Sequence, residues 1–383
     1  MPRFRSISTA ALAVLPVLAL SAAPGRHAPA LVPAGGHAYA GRDSARARVE
    51  DRAWDLVMTR HFGQQGNAAG FSTILRAGRD LWAFGGTNPG GASTPIAGQL
   101  SGRTWTASSL PAGLSNFISD ASAPSRSDIW AISSYGRYVL RWDGTRWLLV
   151  RSWPRPGFFT DIVATSWRDA WVFGTAPDGS RSLGTWHYAD HRWRRAGGAA
   201  SAIYRASVVS GRDIWAVAAQ PRSDAVLRFD GRRWARVRTG KAVAAIRWRD
   251  VLAESAHDVW LLGDSAKSRL VLAHWNGWRW HLISTAVPAL AGQLASGPDG
   301  RILATATSYA QVPAGLIVTA SAGGRVSTSV IRSALGCGAS DAVVVPGTGA
   351  VWVSGGTLTR LGGDAAIWKR ESPAARETDR DEI

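Results

Sequence analysis

Apolar residues in this chain fall in short runs, broken by Asp, Ser and Gly, and the runs repeat. The clearest copies are Asp80-Leu81-Trp82, Asp128-Ile129-Trp130, Asp169-Ala170-Trp171, Asp213-Ile214-Trp215 and Asp258-Val259-Trp260, each followed by two more apolar residues. Their Trp residues are 48, 41, 44 and 45 positions apart. A degenerate sixth copy has Leu303 in the Trp place, and a seventh is Val351-Trp352-Val353, at further steps of 43 and 49. Such a period marks an array of small supersecondary units.

A second anchor follows each first one. Trp142-Asp143-Gly144 before Trp147, Phe229-Asp230-Gly231 before Trp234 and Trp275-Asn276-Gly277 before Trp280 are the best cases; Trp193 and Trp105 end looser ones. Asp-Gly and Asn-Gly between apolar runs signal a hairpin, because the tight turn needs positive φ at both central residues. The first anchor carries its own turn: Ser125, Ser166, Ser210 and Ser255 each stand three residues before an anchor Asp, where Ser and Asp can cap backbone N–H groups. A short β-run precedes that turn. Each unit therefore gives four strands, which predicts an all-β propeller of four-stranded antiparallel blades. Seven anchors predict seven blades; six or eight also fit the spacing. Trp54 lies 28 residues before Trp82, close to the 24 between Trp147 and Trp171, so the N-terminal segment can supply the last blade's outer strand. Trp368 competes for that place.

The repeat resembles those of secreted bacterial β-propellers with Asp-Val-Trp-Ala-Val-Gly-type motifs, in the style of kelch, galactose-oxidase-like or WD40-like blades. The resemblance spans about residues 54–370, and Gly85-Gly86 followed by Trp105 is its most kelch-like copy. Most copies lack the double Gly, and the Gly-His and Trp-Asp dipeptides of WD40 repeats are not placed as that repeat requires. The resemblance implies a fold and no particular activity.

Composition adds 20 Trp, 42 Gly and a single cysteine, Cys337, which excludes an internal disulfide framework and any multi-Cys metal site. Residues 1–23 read as a secretory signal: Arg3 and Arg5 precede the apolar stretch from Ala10 to Leu20, then Ser21, Ala22 and Ala23. Residues 24–50 read as an Ala/Gly/Pro/Arg-rich linker, 51–370 as the propeller and 371–383 as a polar, disordered tail. A secreted, extracellular monomer without a transmembrane anchor after processing is expected.

Two candidate surfaces emerge. Ten residues before successive anchors stand Ser72, Asp120, Asp161, Arg205, Asp250 and Gln293, with Asp341 eleven before Trp352. These positions should ring one mouth of the central channel. Trp153, Phe159, Tyr204 and Trp248 lie close by in sequence, and carboxylates beside open aromatic faces suit a sugar or small polar ligand. The competing reading is that each Asp bonds nearby backbone. The second surface comes from charge. The formal net charge is +17, and Arg79, Arg126, Arg168 and Arg212 fall on the first turn of a blade. Arg146, Arg192, Arg232, Arg233 and Arg279 fall on the second. Both turns project from the same side of a blade, so a basic face is expected opposite the Asp mouth, suited to polyanions.

The His residues form no convincing metal site, and no cofactor or metal is expected. The expected function is non-catalytic recognition of a glycan or anionic polymer at the cell envelope, with a protein partner as a further option. The alternative is a carbohydrate-active hydrolase or lyase using Asp residues at the channel mouth.

Overall fold

The computed structural model describes residues 48–50, 53–61, 67–88, 93–154, 157–175, 183–196, 202–219 and 224–371. The signal segment, most of the linker and nearly all of the tail lie outside the described residues. The described chain is a β-propeller of seven blades, each of four antiparallel strands, with Arg48–Glu50 added in parallel to the outer strand Val326–Ile331 of blade 6. Blade 3 shows the plan, with an inner strand Phe158–Ser166, a second strand Asp169–Thr175, a third Thr185–Ala189 and an outer strand Arg192–Ala196. Blades 1, 2 and 4 repeat it over 67–107, 120–152 and 202–236. Blades 5 and 6 share one long strand, Trp280–Ser296. Its first half pairs as the outer strand of blade 5 and its second half as the inner strand of blade 6, the hand-over falling at Pro288. Blade 7 has Cys337–Val345, Ala350–Thr359 and Gly362–Arg370, and takes its outer strand, Asp55–Arg60, from the other end of the chain. Ring closure by the N-terminal segment follows, and Trp368 sits on the third strand instead.

The Asp-x-Trp unit has a physical reason in every regular blade. The anchor Trp faces, on the third strand, Gln99, Arg141, His187, Arg228 or His274. That same side chain bonds the anchor Asp: Gln99 to Asp80 at 3.1 Å, Arg141 to Asp128 at 2.9 Å, His187 to Asp169 at 2.7 Å, Arg228 to Asp213 at 2.7 Å and His274 to Asp258 at 2.9 Å. The two imidazoles lie flat on their indoles, with centroids 4.0 and 4.2 Å apart, and Arg228 lies 5.1 Å over Trp215. Asp and Trp thus hold one cationic or polar side chain between them.

The outer-strand Trp joins neighbouring blades. Trp147 meets Trp82 of the preceding blade at 5.6 Å, Trp193 meets Trp130 at 6.0 Å, Trp234 meets Trp171 at 6.4 Å and Trp280 meets Trp215 at 6.5 Å. Trp105 meets Trp352 at 6.1 Å across the seam between blades 1 and 7. In blade 6 Leu303 replaces the indole, and Trp54 packs on the cluster that contains it. The Gly three residues after the anchor is steric: a Cβ on Gly85 would lie 1.9 Å from the Gly70 carbonyl oxygen, and one on Gly355 2.0 Å from that of Gly338. Both sit opposite the bulge of the inner strand, where the two backbones come closest.

Candidate functional site

The inner strands of blades 1, 3, 4, 5 and 7 are bulged, and the residue just after the bulge reaches a neighbouring blade; Asp120 stands at the corresponding place, opposite Ile132, where its strand begins. Asp120, Asp161, Asp250 and Asp341 occupy this position and are buried. Asp120 accepts from Ile162 N at 3.4 Å, Asp161 from Ala206 N, and Asp250 from Leu294 N at 2.6 Å. Asp341 crosses the ring seam to Thr73 Oγ1 at 2.8 Å and Ile74 N at 3.1 Å. Thr73, rather than Ser72, is therefore the blade 1 member of the ring, and Gln293 bonds the Ser72 carbonyl at 3.2 Å. Arg205 takes the blade 4 position and donates from Nη1 to Asp120 at 3.0 Å and Asp161 at 3.2 Å.

Burial pushes the Asp161 carboxyl well up, and the Asp120 charge pushes it further. Burial also raises Asp250 to about 6 and Asp341 to about 7. For Arg205 burial works against the charge, but Asp120, Asp161 and Asp250 outweigh it and hold the guanidinium protonated. The ring is thus a set of blade-to-blade clasps with one buried cation balancing several carboxylates, as the backbone-bonding reading expects.

The aromatic residues named with the mouth do not offer open faces. Trp153, Phe159 and Trp248 are 4%, 1% and 1% exposed. Trp153 packs edge-on against Phe159, Trp186 and Trp193. Trp248 donates its indole N–H to the Val243 carbonyl in the short helix Gly240–Ala244 at 3.0 Å. Tyr204 spends its hydroxyl on the Trp248 carbonyl. A place near a strand entry in sequence does not make a side chain open, since these rings pack on one another and on backbone.

The arginine positions are different. Arg79, Arg126, Arg146, Arg168, Arg192, Arg212, Arg232, Arg233 and Arg279 are all exposed. The turns that carry them abut. A Cβ on Gly231 would touch Arg212 at 2.9 Å and one on Gly144 would touch Ser127 at 2.9 Å, so both turns of a blade share one side. A Cβ on Gly78 would meet Arg126 of the next blade at 2.8 Å, so the side is continuous between blades. Inner strands run from the clasp ring to these turns, which places the basic face opposite the ring. Several acidic groups on this side are already satisfied: Asp80, Asp128, Asp169, Asp213 and Asp258 hold the third-strand partners described above. Asp143 accepts from the Thr145 hydroxyl and from the N–H groups of Arg146 and Thr145, which holds it down at about 2, and Asp230 accepts the N–H groups of Arg233 and Arg232, which lowers it. Arg126 is partly spent on Asp80, at 3.0 Å.

Two residues on this face were not among the sequence candidates. Trp278 stands on the second turn of blade 5 and is 91% exposed. Trp167 stands on the first turn of blade 3, with Arg168 4.2 Å and Arg141 5.4 Å over its ring and His191 beside it at 5.3 Å. A signal for both was present: they break the repeat, since the corresponding turns carry Gly78, Arg126 and Gly211, or Arg103, Thr145 and Arg232.

Cys337 is buried and bonds the Ile331 carbonyl at 3.2 Å. Among the described residues no three His, Cys, Asp or Glu side chains are grouped to hold a metal, and no helix is long and apolar enough to cross a membrane.

No protein-family model matches the chain, and no curated protein sequence matches it. Solved structures do. The chain is similar to "YCF48 bound to D1 peptide" at 14% identity and TM-score 0.57, over 85% of this chain and 98% of that one. It is similar to virginiamycin B lyase from Staphylococcus aureus at 10% identity and TM-score 0.56, over 78% and 94%. It is also similar to the WD40 propeller domain of Doa1 at 9% identity and TM-score 0.54, over 84% and 98%. One of these is described with a bound peptide and one is a lyase, so what they share with this chain is the β-propeller fold.

Proposed function

We propose that this chain is an exported, non-catalytic binding propeller whose arginine-bearing turn face recognises an anionic polymer at the cell envelope. The observation that carries the reading is the side-by-side placement of exposed Arg turns from successive blades, with the turn carboxylates internally neutralised. Such a surface attracts a polyanion by counterion release as well as by contact. Trp167 and Trp278 add flat apolar faces among the guanidinium groups, suited to stacking on rings of the polymer. Export rests on the signal-like pattern of residues 1–23. The clasp Asp residues, with oxygens committed to backbone and to Arg205, favour binding over acid–base chemistry at the mouth.

The test is binding of the processed protein to single-stranded DNA, polyphosphate and an acidic polysaccharide, with a neutral polysaccharide as control. Affinity for the anionic set that falls steeply with salt supports the reading. Equal affinity for the neutral polymer, or none for any, overturns it. The similar structure with a bound peptide gives a second reading, a protein partner on the same face, which acidic peptides added as competitors would reveal.

A further inference from the structure

An exposed aromatic ring standing alone on a protein surface needs no explanation. Trp278 and Trp167 are different, because both stand at turn tips of the arginine face. Trp278 is 91% exposed, so nearly all of its ring meets solvent. The turn beneath it is built without a carboxylate. Blades 2 and 4 begin this turn with Asp143 and Asp230, whereas blade 5 begins it with Asn276. Asn276 Oδ1 does the same work, accepting from Trp278 N at 3.1 Å and from Arg279 N at 3.0 Å. It places no negative charge under the ring. Arg279 Nε donates to His281 Nε2 at 3.0 Å, a bond that uses one of its five N–H donors.

Blade 3 joins its two turns through rings. Trp167 on the first turn and His191 on the second lie 5.3 Å apart, tilted by 54°. Arg168 lies 4.2 Å over Trp167 and Arg141 lies 5.4 Å over it. The carboxylates of these strands are engaged, Asp128 with Arg141 at 2.9 Å and Asp169 with His187 at 2.7 Å. Asp190, 81% exposed, has Arg194 at 3.8 Å. Blade 4 lies between the two rings. Its Gly211 abuts blade 3, since a Cβ there would lie 2.8 Å from Asp169 Oδ2, and its Gly231 abuts Arg212. On the other side Ala253 N of blade 5 donates to Ser207 Oγ of blade 4 at 2.9 Å. The turns of blades 3, 4 and 5 therefore present a ring, a group of guanidinium side chains and a second ring in succession.

Around both rings this sector offers N–H donors and π faces. Sugar hydroxyls both donate and accept, so a site that reads them needs acceptors beside its donors. A phosphate only accepts, and a base of any sequence has a flat face for an indole or a guanidinium plane. A duplex keeps those faces inside its stack, whereas a single strand can splay them out. We infer that the anionic polymer of this face is a single-stranded nucleic acid, lying across the turns of blades 3 to 5. Its bases stack on Trp278 and on the Trp167–Arg168 pair, and its phosphates meet the guanidinium groups between them, without selection for sequence. The inference rests on the polyanion reading of the same face and narrows it to one class of polymer.

The test measures binding of the processed protein, across a salt series, to a dT strand of about 12 nucleotides. An abasic deoxyribose-phosphate strand of the same length, the matching duplex and an acidic polysaccharide are measured beside it. The dT strand should bind at least about fivefold more tightly than the abasic strand. Trp278→Ala should remove about that factor for dT at every salt concentration, because stacking on the ring releases no counterions. The slope against salt and the affinity for the abasic strand should stay as in the parent. The melting temperature should stay too, since the ring is exposed, and Trp278→Phe should recover most of the lost affinity. Equal affinity for the dT and abasic strands overturns the inference and leaves the polyanion reading standing, as does a Trp278→Ala variant that binds dT like the parent. Tighter binding of the duplex, or of the polysaccharide, overturns it as well. No binding of any of these polymers overturns both.

Discussion

Asp341 closes the ring, and replacing it with Asn should change stability in a pH-dependent way. Its carboxyl is buried, and burial raises it to about 7, against the bonds from Thr73, Ile74 and Ala342 that favour the charge. In the unfolded chain the same group titrates near 3.9. Between those values the folded protein holds a proton that the unfolded chain has lost, so stability falls as pH rises through this window and levels off above about pH 7. Roughly three units at about 1.4 kcal/mol each give a loss of about 4 kcal/mol from pH 4 to pH 8. Asn cannot ionise and escapes that loss. It has only one acceptor oxygen, however, while Asp341 Oδ1 accepts from Ala342 N and Oδ2 from Thr73 and Ile74. One orphaned donor costs about 1–3 kcal/mol. Asp341→Asn should therefore be less stable than the parent at pH 4, cross it between, and be more stable at pH 8. Urea unfolding followed by Trp fluorescence at four pH values measures this. A deficit that is the same at every pH would mean that Asp341 is ionised throughout, and the argument from burial would fail.

Other residues give sharp expectations. Removing Arg205 as Arg205→Leu strands Asp120 and Asp161 without their cation and should destabilise by about 3–5 kcal/mol, more at pH 8 than at pH 5, read as the unfolding midpoint. Gly85→Ala drives a Cβ into the Gly70 carbonyl and should cost about 3 kcal/mol or more, whereas Gly102→Ala, with open space around it, pays only for its positive φ; melting temperatures distinguish the two. Trp215→Ala should cost about 3–5 kcal/mol as a buried blade anchor. Trp278→Ala should change stability by no more than about 0.5 kcal/mol while weakening polyanion binding in a filter or fluorescence assay.

Much of the fold was legible because its determinants are local and repeated. Asp-x-Trp and Asp-Gly recur where turns and packing demand them, whereas the spacing left the closing strand open between Trp54 and Trp368. The partner that makes Asp-x-Trp work, the third-strand Arg, His or Gln, was not recognisable, because its distance in sequence varies with loop length and only cross-strand register brings it over the indole. The sites were less legible for the same reason. Which side of a strand entry faces solvent depends on how the connecting loop folds, so Trp153 and Trp248 looked open and are packed. The Asp residues stand out in sequence by their spacing from the anchors, but their hydrogen bonds run to the neighbouring blade and emerge only in three dimensions. Trp167 and Trp278 are legible only as departures from the repeat, because a pattern of recurring residues carries no information on what one blade alone presents.

The central claim is that the turn face binds an anionic polymer through its arginines. It is tested most directly by the salt dependence of single-stranded DNA binding in the parent and in an Arg212→Glu/Arg232→Glu/Arg233→Glu variant. Each phosphate contact contributes roughly 0.7 to the slope of log affinity against log salt for a single strand, so losing three contacts should flatten it by about 2. A variant that folds normally and keeps the parent's affinity and slope would place the binding elsewhere and contradict the account.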